Sequence, residues 1–318
     1  DIVQAHAKMT AARSKKEEVV LAIQDTTYYN YTSHPETKGL GLLSRFKGKH
    51  KNDILTKGLC MHTTLGITPD GLPLGILDQD IYSREELCAE KIALKKRSHN
   101  IALPIEEKES IRWLNSMKKT AAIFDGQNKQ VVTIADREAD IYDLFHLADK
   151  MKTHFLVRAS QNRKINKTAI YSKDSGEMLL DFMKKKKYKG VVQVDVPKKD
   201  DQPKRVADCG VKFEKINVFP SRNYKGSKNG NLNLDIYTIH VLEKNPPKGV
   251  DKIEWILYTN IPILTFDEAA EKLRWYCLRW RIEVYFKVIK SGFKVEDCRL
   301  ESADRLTRYL AVVSIVAW

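Results

Sequence analysis

Two rhythms of apolar and polar residues alternate along this chain. The run VVLAIQD (19–25) is almost continuously apolar, partly β-branched, and closes on Asp25, which predicts a buried strand. GLCMHTTLGIT and LPLGILDQDIYS are two extended runs around Pro69-Asp70-Gly71, the signal of a hairpin. Residues 105–122 carry helical spacing at Ile105, Ile111, Leu114 and Met117. VVTIAD (131–136) predicts a second buried strand closing on Asp136, ADIYDLFHLADKM (139–151) an amphipathic helix, and HFLVRAS (154–160) a further strand. Residues 1–18 read as a helix or arm, and the basic stretch KGLGLLSRFKGKHKND (38–53) as a loop. Strand, hairpin, helix, strand, helix, strand is a mixed α/β order.

From about residue 161 to 262 the texture changes. Lysine runs such as MKKKKYKG (183–190), expected as solvated loops, separate GVVQVDV, CGVKFEKINVF, LNLDIYTIHVL and IEWILYTNI. The spacers are rich in Gly, Asn, Ser and Pro, so this segment reads as a β-rich insertion. Helical periodicity returns with TFDEAAEKLRWYCLRWRIEVYFKVIKSGF, where Thr265 and Glu268 fit a capping box and Gly292 a stop. The expected organisation is therefore 1–160, an insertion at 161–262, and a helical end at 263–318. There is no internal repeat.

Composition narrows the function. The net charge of +14 points to a polyanionic partner, nucleic acid or an anionic surface. No apolar stretch is long enough to span a bilayer, and no signal peptide is visible. The five cysteines form no CxxC pair and are odd in number, which argues against a zinc site or disulfide framework and for a reducing cytoplasm. Asp1 in place of an initiator methionine, and an apolar run that stops at Trp318, give the chain the look of a fragment.

Chemistry concentrates in three places. LAIQD and TIAD each put an aspartate directly after an apolar run, where α/β sites tend to form, although caps and turns use aspartate there too. Within DREAD, Asp136, Glu138 and Asp140 all qualify. On a continuous helix of about 100° per residue, Tyr276, Arg279, Glu283 and Lys290 fall within an arc of about 60°, with Trp280 and Lys287 at its border. Leu278, Ile282, Phe286 and Ile289 take the neighbouring face, with Tyr285 close by. A surface salt bridge needs one partner for Glu283, Arg279 or Lys287. Phosphodiester chemistry uses more. Carboxylates hold hard divalent cations that activate water and stabilise a leaving oxygen, and adjacent cations hold flanking phosphates.

DREADIYDLF, with QDTT upstream and Tyr276-x2-Arg279-x3-Glu283-x6-Lys290 downstream, resembles the DDE transposases of bacterial insertion sequences, in the cut-and-paste group that carries the Y-R-E-K signature. The likeness covers nearly the whole chain, and the spacings of 111 residues from Asp25 to Asp136 and 147 to Glu283 suit a β insertion before the glutamate. It implies an RNase H-like α/β domain with a mixed sheet, interrupted by that insertion. It implies Asp25, Asp136 and Glu283 as the metal triad, for two Mg²⁺ ions with Mn²⁺ as substitute. Tyr276, Arg279 and Lys290 would grip phosphates, and Arg158 in FLVRAS matches a phosphate contact. Trp255 and Trp280 match aromatics that support a flipped base, and Lys287 joins the DNA-contacting set.

The implied reaction is a water-driven nick at the transposon end, hairpin formation, hairpin opening and joining to target DNA. The resemblance also implies double-stranded DNA and a second copy of the chain as partners, without a membrane, in a bacterial cytoplasm at the nucleoid. The family's N-terminal end-binding domain and C-terminal dimerisation region are not evident. Bland readings stand beside these. Trp255 reads as core, Arg158 as a surface strand residue, and His62 and His240 as structural. Another RNase H-like nuclease or resolvase would share the carboxylates without the Y-R-E-K stripe. A domesticated, non-catalytic DNA-binding protein would tolerate their loss.

Overall fold

A computed structural model describes residues 2–47, 53–84, 103–166, 176–197, 203–220, 224 and 232–318. The centre of the basic stretch at 48–52, Cys88, and much of the insertion's spacers lie outside the described residues. The chain folds as two compact units, one of residues 1–103, 107–131 and 278–318, the other of 104–106 and 132–277. Neither follows the expected divisions at 160 and 262.

The first unit opens with α1 (Ile2–Arg13) and four strands, β1 (Val19–Asn30), β2 (Gly41–Lys47), β3 (Asp53–Ile67) and β4 (Pro73–Tyr82), followed by α2 (Ile111–Ile123). All the pairings among these strands are antiparallel, with β3 flanked by β1, β2 and β4. The β3–β4 hairpin turns where expected. Its Gly71 sits at φ +90, a conformation that glycine adopts without steric cost.

Two sequence expectations change here. Asp25 does not end its strand but lies in the middle of β1, opposite Thr63 of β3. The β-branched and aromatic run TTYY continues the ladder as far as Asn30 opposite Gly58. Residues 41–47 of the expected loop are strand β2, because β3 reaches back to Asp53 and offers them a partner.

The two faces of β1 have different neighbours. Val20 and Ala22 pack with Leu74, Leu77, Phe124 and Val131 on the side that carries α2. The odd-numbered residues face the last helices of the unit, as the contacts of Asp25 and Tyr29 show. This is the alternation that a strand imposes on successive side chains.

The second unit contains β5 (Gln130–Ala135, from Val132 onward), α3 (Tyr142–Met151), β6 (His154–Arg158), the short β7 (Lys164–Ile165) and β8 (Glu177–Met178), and α4 (Leu179–Lys184). It continues with β9 (Gly190–Val196), β10 (Arg205–Val218), β11 (Leu234–Glu243), β12 (Glu254–Thr259) and α5 (Phe266–Cys277). Its sheet is mixed. β5 and β6 run parallel, and β12, β11, β10 and β9 follow from β6 in antiparallel order. The β-rich segment therefore extends the sheet begun by β5 and β6. Phe145 of α3 stacks on Phe155 of β6 at 4.6 Å and meets Tyr258 of β12 edge-on, which ties helix to sheet.

The helix expected to begin at 139 starts at Tyr142 instead. Residues Arg137–Ala139 form a single 3₁₀ turn, and Asp140 at φ −70, ψ 66 breaks the helical path.

The chain returns to the first unit with α6 (Trp280–Lys287), a π-turn at Val288–Gly292, and α7 (Ala303–Ala317). The single helix expected from Thr265 to Ser291 is thus three pieces. Leu278 and Arg279 carry a tightened turn, with Arg281 N–H donating to Leu278 O and Ile282 N–H to Arg279 O. The π-turn then widens the spiral, closing with Phe293 N–H on Val288 O. Among the described residues no helix is long and apolar enough to cross a membrane.

Candidate active site

In the first unit, Arg279 joins two carboxylates that are far apart in sequence. Its Nη1 donates to Asp25 Oδ2 at 3.1 Å, and its Nη2 donates to Glu283 Oε1. The Arg279–Glu283 contact spans one turn of α6, the spacing at which helical side chains meet. Asp25 reaches the same guanidinium from the odd face of β1. All three side chains are partly exposed, Asp25 by 19%, Arg279 by 18% and Glu283 by 33%, so the cluster is open to a ligand. Asp25 is held from behind as well, because the Thr26 amide donates to its Oδ1 at 2.7 Å.

Lys290 does not follow from the straight-helix projection, since the π-turn intervenes. Its Nζ lies 5.6 Å from the ring centroid of Tyr29, two strand positions past Thr27 on the odd face of β1. Burial holds its pKa below the ordinary lysine value, with Glu296 opposing that shift. Trp280 is 49% exposed, so it is not a core residue, and Val284 and Val288 are exposed beside it. Lys287 is exposed, while Ile282, Tyr285, Phe286 and Ile289 are buried as the periodicity predicts.

The second unit gathers a different set. The Trp255 ring has the Arg158 guanidinium 5.7 Å from its centroid and the Tyr276 ring edge-on at 5.7 Å. Arg158 also donates through Nη2 to Glu254 O at 3.3 Å. Tyr276 is buried at the end of α5, and Trp255 is half-buried, neither fully in the core nor free of it. Tyr276 therefore stands with Trp255 rather than on one unbroken stripe with Glu283.

The three acidic residues of DREAD separate cleanly. Asp140 is buried, forms an ion pair with Arg163, and accepts from the Ser160 amide at 2.7 Å and its hydroxyl at 3.1 Å. Its oxygens are committed to structure. Glu138 is exposed on the 3₁₀ turn. Asp136 follows β5 directly, is half-exposed, and accepts from the Glu138 amide at 2.8 Å, the capping role that its position allows. A cap uses one carboxylate oxygen and leaves the other for a ligand.

Hard carboxylate oxygens are the donors that Mg²⁺ and Mn²⁺ prefer. Asp25 and Glu283 fit such an ion chemically, since both already share one positive group. Among the described residues no cluster of three or more His, Cys, Asp or Glu close enough to hold a metal is found.

Sequence reasoning did not single out Arg112. It lies at the start of α2 on the even face of β1 and donates through Nε to Thr26 Oγ1 at 3.0 Å. Thr26 Oγ1 is also 2.9 Å from His62 Nδ1, and His62 Nε2 is 3.4 Å from Gln24 Oε1. The one sign in the sequence is that HTT and QDTT place polar residues inside otherwise apolar strands. Burial pushes the His62 pKa down to about 3, with Arg112 and Lys119 adding to the effect, so the ring is neutral. His240 is likewise buried and held below its ordinary value, mainly by burial, against Glu254 at 3.1 Å.

A mixed α/β fold thus carries carboxylates on and beside its strands, with Arg279 bridging Asp25 and Glu283. The chain belongs to the transposase DDE domain family, whose model matches residues 110–318. That match contains Asp136 and Glu283, while Asp25 precedes it. Membership makes this a transposase of the DDE class, acting on DNA, and enzymes of the class generally use divalent metal ions.

Proposed function

We propose that the chain is the catalytic core of a cut-and-paste transposase of the Y-R-E-K group. The observation that carries this reading is the Arg279 guanidinium shared by Asp25 and Glu283, whose carboxylates come from strand β1 and from the helix that bears the signature. Asp25, Asp136 and Glu283 are the metal-binding carboxylates. Two Mg²⁺ ions, or Mn²⁺ in their place, supply activation of the attacking oxygen and charge stabilisation of the leaving one.

The chain's own side chains do the rest. Arg279 has two N–H groups directed at anionic oxygens, and in the DNA complex it grips a phosphate in the same forked manner. Lys290, Lys287, Arg158 and Tyr276 position the transposon end. Trp255, within the 161–262 insertion of an RNase H-like domain, is the platform for an extruded base, and exposed Trp280 is a second one. Water cleaves one strand to leave a 3′-hydroxyl. That hydroxyl attacks the opposite strand, displacing a 3′-oxygen and closing a hairpin. Water reopens the hairpin, and the 3′-end joins target DNA. The working form is a dimer on paired ends in the bacterial cytoplasm, associated with the nucleoid when bound to DNA.

The test uses full-length protein with DNA carrying its own element ends and Mg²⁺ or Mn²⁺. Wild type gives nicks and then hairpins, while Glu283→Gln binds the ends and gives neither. Normal cleavage by that variant would overturn the assignment.

A further inference from the structure

We infer that His62 is a positioning residue for the reaction, a clamp that fixes Asp25 from the opposite face of its strand. The inference rests on the reading of Asp25 as a metal-binding carboxylate. Successive residues of a strand point to opposite faces. Gln24 and Thr26 therefore share the even face of β1, and Asp25 points the other way. His62 stands directly across from Thr26 in the β1–β3 register and reaches both neighbours of Asp25.

The hydrogen bonds have one consistent direction. Arg112 can only donate, and it gives its Nε–H to Thr26 Oγ1. The neutral His62 ring carries its single proton on Nε2, toward the accepting Gln24 Oε1, so Nδ1 accepts from the Thr26 hydroxyl. The chain runs Arg112 to Thr26 to His62 to Gln24. It bridges the two residues that flank Asp25. What it controls is the Thr26 backbone, whose amide donates to Asp25 Oδ1 at 2.7 Å.

The site is buried. Gln24 has no exposed surface, His62 is 1% exposed, and the Trp113 ring closes over His62 edge-on at 4.7 Å. A buried polar cluster carries a desolvation cost that an apolar side chain of similar size would avoid. Orientation of the neighbouring carboxylate gives these buried polar groups a role that offsets this cost. Groups that orient a metal ligand in other proteins change affinity or activity by about 10–100-fold when removed.

The experiment compares wild type, His62→Leu, His62→Asn and Asp25→Asn as full-length proteins. It reads three quantities: Mn²⁺ binding without DNA, followed by the electron paramagnetic resonance of free Mn²⁺; kcat and KM for end cleavage; and thermal midpoint. Leucine fills the space and loses both hydrogen bonds. Asparagine keeps an acceptor near the Nδ1 position. We expect H62L to weaken Mn²⁺ binding and lower kcat by about tenfold or more, with KM for DNA within about twofold. H62N recovers most of both losses.

Wild-type Mn²⁺ affinity and kcat in H62L would overturn the clamp, and so would equal losses in H62L and H62N that track a fall in thermal midpoint. If H62L does not fold, Thr26→Val removes the central hydroxyl at constant shape and must give the same pattern. Asp25→Asn separates the two levels of the claim. If D25N cleaves normally, the role of Asp25 falls and the clamp with it. If D25N is dead while H62L is normal, only the clamp falls.

Discussion

In the first unit the candidate residues meet through charge, and in the second through ring faces. Asp25 and Glu283 are drawn to one guanidinium, in a half-exposed setting that suits exchange of one cation for another. Trp255 is instead flanked by a guanidinium and a buried tyrosine, with part of its surface still exposed. The first arrangement is of the kind that can stabilise developing charge. The second presents ring faces, Trp255 against Arg158 and Tyr276, which suit stacking. The two kinds of residue should therefore fail in different ways when changed.

The largest effect should come from the carboxylates. Asp25→Asn and Asp136→Asn should each lower end cleavage by roughly a thousandfold, the loss of several kcal/mol of charge stabilisation. DNA binding, measured by gel shift, should persist in both. Full activity in D136N would leave the charged cluster of the first unit as the whole catalytic set and would remove the strand-end aspartate of the second from the mechanism.

Arg279→Lys comes next. A guanidinium serves two oxygens in a fixed fork, whereas an ammonium is a single point charge. Losing one charge-assisted hydrogen bond of about 1.5–3 kcal/mol should slow cleavage by about 10–100-fold. Kinetics at saturating DNA measure this directly. An unchanged rate would reduce the shared guanidinium to a surface ion pair.

The sequence made the charged residues easier to place than the geometry that joins them. Asp25 and Asp136 stand out because each interrupts an apolar run, yet the two runs have different fates. After Asp25 the residues TTYY keep pairing with β3, while after Asp136 the chain turns at once into a 3₁₀ cap. Both outcomes depend on long-range partners that no local pattern displays. The same holds for the helix of Tyr276 and Glu283. Its apolar face is correctly periodic, with Ile282, Phe286 and Ile289 buried. The tight turn at Leu278–Arg279 and the π-turn at Val288–Gly292 cannot be read from side-chain spacing, and they separate Tyr276 and Lys290 from a straight projection. Arg112 was invisible because its partner, Thr26, is 86 residues away. The hairpin at Gly71 and the cap at Thr265 were legible because turn and cap chemistry is local.

Trp255→Ala should act on one step. Base stacking on an aromatic side chain contributes about 1–3 kcal/mol, so hairpin formation should slow by about tenfold while the first nick keeps its rate. Time courses resolving nicked and hairpin products read the two steps separately. Equal slowing of both would mean that Trp255 supports Arg158 and Tyr276 structurally, which would erase the functional contrast between the ring cluster and the carboxylates.

The smallest effect belongs to the start of α5, the helix whose last turn carries Tyr276. Glu268 accepts from the Leu264 amide at 2.7 Å and the Thr265 amide at 2.9 Å, and its own amide donates to Thr265 Oγ1 at 3.3 Å. Thr265→Ala should cost about 1 kcal/mol and lower the thermal midpoint by about 3 °C. The amides of Leu264 and Thr265 hold the Glu268 pKa below its ordinary value. Its contribution is therefore fully present above the unfolded carboxyl pKa and is lost as pH falls through the lower folded value. The difference in thermal midpoint between wild type and Glu268→Gln should close over that acid range. Neither variant should change the rate of the first nick at neutral pH. A slowed nick in T265A would show that anchoring α5 matters to the carboxylate chemistry of the first unit, so charge cluster and ring cluster would no longer fail independently.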